Sequence, residues 1–302
     1  MKKSFIELHL SIFLAGFTGV FGKLISLNEG LLVWYRMFFA AVIFIVILML
    51  TKKMPKITPK EIFKIAGVGF IMALHWVSFY GSIKYSNISI GVVCISAVGF
   101  FTAILEPFFN KKGISSKEIF LSLIAILGIY LIFHFDSRYR VGIVLGILSS
   151  LLAATFIVLN KKIVVHNDSG TMLLYEMIGG VTGLTLLMPL YLHFFPVENI
   201  FPGGKDLIYL VILAIFCTVI TFICQTDALK NISAFTVNLS YNLEPIYSII
   251  LAMIIFNEAK DLNFAFYAGL FLIIISVLLQ TFSFSKKQII KSNLQKYKKD
   301  IL

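Results

Sequence analysis

The stretch Leu10-Ser11-Ile12-Phe13-Leu14-Ala15-Gly16-Phe17-Thr18-Gly19-Val20-Phe21-Gly22-Lys23-Leu24-Ile25 returns 138 positions later as Leu148-Ser149-Ser150-Leu151-Leu152-Ala153-Ala154-Thr155-Phe156-Ile157-Val158-Leu159-Asn160-Lys161-Lys162-Ile163, with seven of sixteen positions identical. The identities include Ser11/Ser149 and Lys23/Lys161, which a shared apolar composition does not supply. The chain is therefore written twice. Each copy carries an odd number of apolar spans, so the second copy sits upside down in a bilayer relative to the first. Inverted repeats of this kind are the sequence mark of secondary transporters.

The apolar content explains why a bilayer enters the reading. The 302 residues are 59% hydrophobic and 14% charged, and a soluble core of ordinary proportions cannot hide that much apolar surface. A helix needs about 20 apolar residues to cross the hydrocarbon layer. Ten such spans are predicted, at 8–27, 31–51, 63–83, 88–109, 116–135, 141–161, 170–192, 206–227, 233–256 and 262–284. The runs do not alternate apolar and polar residues, which excludes a transmembrane barrel. The expected fold class is an all-α polytopic membrane protein, ten transmembrane helices in two inverted five-helix repeats, 1–137 and 138–302.

The net charge of +11 is distributed by topology and does not call for nucleic acid. Lys2, Lys3, Lys52, Lys53, Lys56, Lys60, Lys111, Lys112, Lys161, Lys162 and the Lys-rich tail fall on one side of the predicted spans. The positive-inside rule then puts both termini in the cytoplasm of a plasma membrane, the bacterial inner membrane being the expected location. The tail also suits contact with anionic lipid. Cys94, Cys217 and Cys224 lie inside spans and read as small apolar fillers, so neither a disulfide framework nor a metal site is expected. No cofactor is implied.

From Lys84/Lys230 to Lys112/Glu258 the halves align again, now at an offset of 146. The extra residues have a home in the loop from His193 to Lys205, which holds Pro196, Pro202, Gly203 and Gly204. Pro245 must break the ninth span, because proline removes a backbone hydrogen bond one turn earlier. The first half has Gly99 at the aligned position.

Ionisable and polar groups inside a bilayer ask for a partner, a cavity or an interfacial position. The ninth span has the densest set, with Asn238, Tyr241, Asn242, Glu244 and Ser248 on one arc. Glu244 near mid-span is the candidate for proton coupling; hydrogen bonding between packed helices is the alternative. The third span adds His75, Trp76 and Tyr80, the indole N-H of Trp76 needing an acceptor at that depth. Thr218, Thr221 and Gln225 make a polar stripe on the eighth, weighed evenly between pore lining and packing. Lys23 and Arg36 lie toward outer helix ends, where they either anchor or gate. Glu106 at the inner end of the fourth span and Glu176, a turn or two into the seventh, are the corresponding inner candidates.

A first span ending in Gly19 to Lys23, a second opening with Trp34-Tyr35-Arg36, a third leaving through Ile83-Lys84-Tyr85-Ser86, and a ninth carrying Glu244-Pro245 with Asn257-Glu258 at its end together resemble the EamA family of the drug/metabolite transporter superfamily. The resemblance covers nearly the whole chain. It implies a ten-helix inverted-repeat fold, a central cavity, and alternating-access movement of small metabolites such as amino acids, including export. The sequence departs from the family pattern at Gly99, where proline is common, and at Lys112, where glutamate is common.

On this reading the substrate candidates are His75, Trp76, Tyr80, Thr221, Gln225, Asn238, Tyr241 and Asn242, with Glu244 for the proton and Lys23, Arg36, Glu106 and Glu176 as gates. The expected partners are a small solute and membrane lipid, with a homodimer compatible. An intramembrane enzyme would need a nucleophile and base together, and neither HExxH nor GxSxG is present. A channel or lipid scramblase is the third class, separated from a carrier by conductance that does not saturate.

Overall fold

In bilayer hydrocarbon every backbone N-H and C=O must be paired within the segment, and a run of Leu, Ile, Phe and Val does this as helix. The computed structural model of the chain describes residues 2–52, 54–55, 57–110, 116–135, 139–164, 167–231, 240–241, 243–260, 262–276 and 278–279. Its elements are α1 (Lys2–Leu24), α2 (Glu29–Leu50), α3 (Pro59–Lys84), α4 (Ile88–Ile95), α5 (Val98–Asn110), α6 (Ser116–Phe135), α7 (Arg140–Ile163), α8 (Ser169–Phe194), α9 (Gly204–Ala214), a π-turn (Ile215–Ile220), α10 (Thr221–Asn231), α11 (Glu244–Phe256), a 3-10 turn (Glu258–Lys260) and α12 (Phe264–Ser276). Among the described residues there is no strand. Seven helical segments are long and apolar enough to cross a membrane, and α11 and α12 are shorter apolar helices. Large apolar side chains such as Leu50, Phe63, Phe108, Leu186, Ile254 and Phe264 stand exposed on the outside, as a lipid solvent allows.

Short polar turns stop and restart the helices. Asn28 caps α2 by accepting from Leu31 N at 2.9 Å, and Asn87 caps α4 by accepting from Ile90 N at 2.8 Å. Thr58 and Glu61 form a reciprocal capping box at the start of α3, with Pro59 just inside it. Asp168 accepts from the backbone of Gly170 and Thr171 to open α8. Burial alone would raise its carboxyl, but these bonds outweigh burial and hold it below the usual carboxylate range.

The helices of the two halves interleave. Helix α1 packs along α10 and α11, while α7 packs along α3, α4 and α5; α3 and α2 both run along α8. The first helix of each half thus lies against the third and fourth spans of the other. The fourth span, expected over 88–109, is long and apolar enough to cross a membrane over Ile88–Phe109 but carries a break: α4 ends at Ile95, and tight i to i+3 bonds at Ser96 and Ala97 precede α5. At the offset of 146, Ala97 matches Leu243, whose N-H bonds Ser240 O at 3.0 Å immediately before α11 begins at Glu244. Both halves break at the same place, although only the second has a proline there.

Candidate functional site

Arg36 lies two turns into α2 and is only 2% exposed. Its Nε donates to Thr218 Oγ1 at 2.8 Å, Nη1 to Tyr80 OH at 2.8 Å and Nη2 to the Cys217 carbonyl at 2.9 Å. The guanidinium carbon stands 3.7 Å from the centre of the Trp76 ring, a cation–π contact. All three acceptors are neutral. Among the described residues no carboxylate lies within ion-pair distance of this cation.

Local structure explains how α2, α3 and the eighth span meet at one guanidinium. On α3, Trp76 and Tyr80 are four residues apart and share a face. The π-turn Ile215–Ile220 widens the eighth span by a residue, and the hydroxyls of Thr218 and Thr221 reach back five positions to Leu213 O at 3.1 Å and Phe216 O at 2.9 Å. A π-turn displaces carbonyls from the regular ladder. The Cys217 carbonyl points to Arg36 as a result.

Glu244 opens α11 beside Pro245 and makes no ion pair with a described residue, yet it lies within electrostatic range of Arg36, Tyr80 and Cys217. Among the described residues the arrangement brings together the Arg36 cation, the Glu244 carboxylate and the ring faces of Trp76 and Tyr80.

Other expected residues go elsewhere. His75 turns to α7, where its Nδ1 lies 2.9 Å from Ser149 O and 2.8 Å from Ser149 Oγ. The Tyr241 hydroxyl donates to Ser11 Oγ at 3.0 Å and its ring packs on Leu8 and Ile12 of α1. Both aromatics thus tie to the serines shared by the repeat. Thr221 bonds its own helix, and Gln225 is half-buried on α10. Asn238 and Asn242 lie outside the described residues. Trp76 presents its ring face to Arg36.

The charged candidates Lys23 and Glu106 make ion pairs at the two ends of the bundle. Lys23 Nζ bonds Glu258 Oε1 at 2.8 Å, and Glu258, fully buried, also accepts from Ile88 N, Ser89 N and Ser89 Oγ. At the other end Lys161, the repeat equivalent of Lys23, pairs with Glu106, and Lys162 donates to Phe109 O at 2.8 Å. Arg36, expected among the gates near a helix end, is instead inside the bundle. Sequence reasoning read Cys217 as an apolar filler and did not anticipate the π-turn, and no motif in IFCTVI signals the widened turn.

The EamA-like transporter family model matches the chain twice, at residues 5–134 and 140–282. An uncharacterised transporter of Clostridium kluyveri is 21% identical over 280 residues, covering 87% of this chain and 88% of that protein. Another of Haemophilus influenzae is 24% identical over 277 residues, 84% of this chain and 85% of the relative. A solved crystal structure, 14% identical, superposes with a TM-score of 0.63 over 93% of this chain and 98% of its own, so the two share a fold.

Proposed function

Because the chain belongs to the EamA-like transporter family and is a multi-pass membrane transporter, we propose that it is a secondary carrier of a small carboxylate-bearing metabolite, an amino acid or a related amphipathic solute, working by alternating access. The carrier is built of ten transmembrane helices in two inverted five-helix repeats, 1–137 and 138–302, with both termini cytoplasmic. The double family match and the shared break before Val98 and Glu244 support the repeat.

Arg36 is the observation that carries the substrate class. A guanidinium stays charged at any accessible pH and offers five N-H donors. Three are spent on neutral oxygens, and two remain for a ligand. Burying such a cation without a contacting anion is costly. A carboxylate supplies the missing anion and matches the planar fork. Glu244 lies within electrostatic range of Arg36 and is placed to take the ammonium of a zwitterion, while Trp76 and Tyr80 provide apolar walls. The ion pairs at both ends support an occluded state.

The test is a thermal-shift panel of amino acids, other carboxylates, nucleosides and vitamins on purified protein, followed by flux of the hits in proteoliposomes. A carboxylate at a hundredfold excess over its Kd is expected to raise stability by about 2.7 kcal/mol. Arg36→Lys, which keeps the charge and loses the fork, is expected to lose most of that shift. Stabilisation by uncharged solutes only, or an equal shift in the variant, would sink the assignment.

A further inference from the structure

Glu176 on α8 is 0% exposed, and neither of its carboxyl oxygens has a hydrogen-bond partner. The Asn160 side chain of α7 lies against it. Asn160 Oδ1 is likewise buried and without a donor. Glu176 Oε1, Glu176 Oε2 and Asn160 Oδ1 are thus three buried oxygens without a hydrogen-bond partner, although buried oxygens in native structures are nearly always paired.

Close helix contact encloses these oxygens. A methyl group on Gly69 of α3 would run into the backbone of Glu176, and one on Gly179 of α8 into the backbone of Ala66. The charges on the surrounding helices are engaged elsewhere. On α3, His75 binds Ser149, Glu61 binds Thr58 and Lys64 is exposed. On α7, Lys161 pairs with Glu106 and Lys162 with Phe109 O. On α2, Arg36 is held by Thr218, Tyr80 and Cys217, and on α10 Asp227 accepts from Ser169. Among the described residues no cation lies within ion-pair distance of Glu176, and an ionised carboxylate without a partner is strongly disfavoured there. A single hydrogen on the carboxyl, donated to Asn160 Oδ1, satisfies the group. A hard metal cation would ask for more than three oxygens.

We propose that Glu176 and Asn160 form a proton-binding site that couples transport, distinct from the Arg36 centre and resting on the carrier reading above. In the closed state Glu176 O-H donates to Asn160 Oδ1. When α8 parts from α3 the O-H bond breaks, the proton passes to water on the open side, and the carboxylate is hydrated.

Infrared difference spectroscopy of the reconstituted protein, titrated from acid to alkaline buffer, reads this proton without any substrate. The expected result is a protonated-carboxyl band that titrates in the wild type, shifts in Asn160→Ala and is absent in Glu176→Gln while persisting in Glu244→Gln. With a hit from the thermal-shift panel as probe, Glu176→Gln is expected to keep solute exchange and to lose most accumulation driven by a pH gradient. A band that never titrates, or sodium-dependent stabilisation of the wild type that vanishes in Glu176→Gln, overturns the proposal. Exchange with no response to a pH gradient in the wild type also overturns it and leaves the carrier standing. Where Glu176→Gln fails to fold, the Asn160→Ala band shift decides, and an unmoved band overturns the pairing.

Discussion

Glu258 accepts from Lys23 Nζ at 2.8 Å, from Ile88 N at 3.1 Å, from Ser89 N at 3.0 Å and from Ser89 Oγ at 2.7 Å. The two backbone donors are the first N-H groups of α4, which no carbonyl of that helix can reach. One carboxylate thus caps α4 and binds α1 beyond the end of α11. Burial would raise its carboxyl, but the bonds from Lys23, Ser89 and Ile88 outweigh burial and hold it below the usual range. With the folded value below the unfolded one, the stabilisation is fully present above the unfolded carboxylate value of about 4.3 and is lost as pH falls through the lower folded value. Glu258→Gln is expected to cost about 1.5 to 3 kcal/mol and to flatten the acid side of stability, measured by thermal unfolding in detergent from neutral to acid pH. An unchanged acid limb would remove this role. The sequence placed Asn257-Glu258 at a helix end, but the partners come from α1 and α4, and such separation leaves no local pattern.

At the scale of the element, α3 carries the bundle. It runs between α7 and α8, and the close approach of α3 to α8 depends on Gly69 and Gly179, where an added methyl would meet opposing backbone. Gly67, two residues from Gly69, has nothing within 4 Å of such a methyl. Gly69→Ala and Gly179→Ala are each expected to destabilise by about 1 to 3 kcal/mol through overpacking, while Gly67→Ala leaves the melting temperature unchanged or slightly raised by helix propensity. Equal melting temperatures for all three would mean that α3 and α8 are not in contact. The paired breaks before α5 and α11 were half legible. Pro245 announced one, whereas the break at Ser96 and Ala97 has no proline. The π-turn was not legible at all, because its stabilisation comes from contacts such as Cys217 O with Arg36, and local composition does not show them.

For the whole molecule, the repeat places equivalent lysines at opposite ends, Lys23 on Glu258 and Lys161 on Glu106. If these pairs hold alternate doors, Lys23→Ala favours opening at its end and Lys161→Ala at the other. A lost coupling of about 1 kcal/mol moves the balance roughly fivefold. Labelling of single cysteines placed near Arg36, from each side of sealed vesicles, is expected to change in opposite directions for the two variants; changes of the same sign would end the two-door reading. The sequence by itself determined that the chain is helical and membrane-spanning, because apolar run length is a property of local order in the chain, and its repeated residues at 10–25 and 148–163 fall one in each of the two stretches that the family model matches. Only the tertiary structure decided which polar residues share a site. It sent His75 and Tyr241 to Ser149 and Ser11, and it took Arg36 from a helix end to Trp76, Tyr80 and Thr218. The physical reason is that a buried polar group must find its partner across the interface between interleaved halves, and helical periodicity gives the face of a residue without saying which helix will meet it.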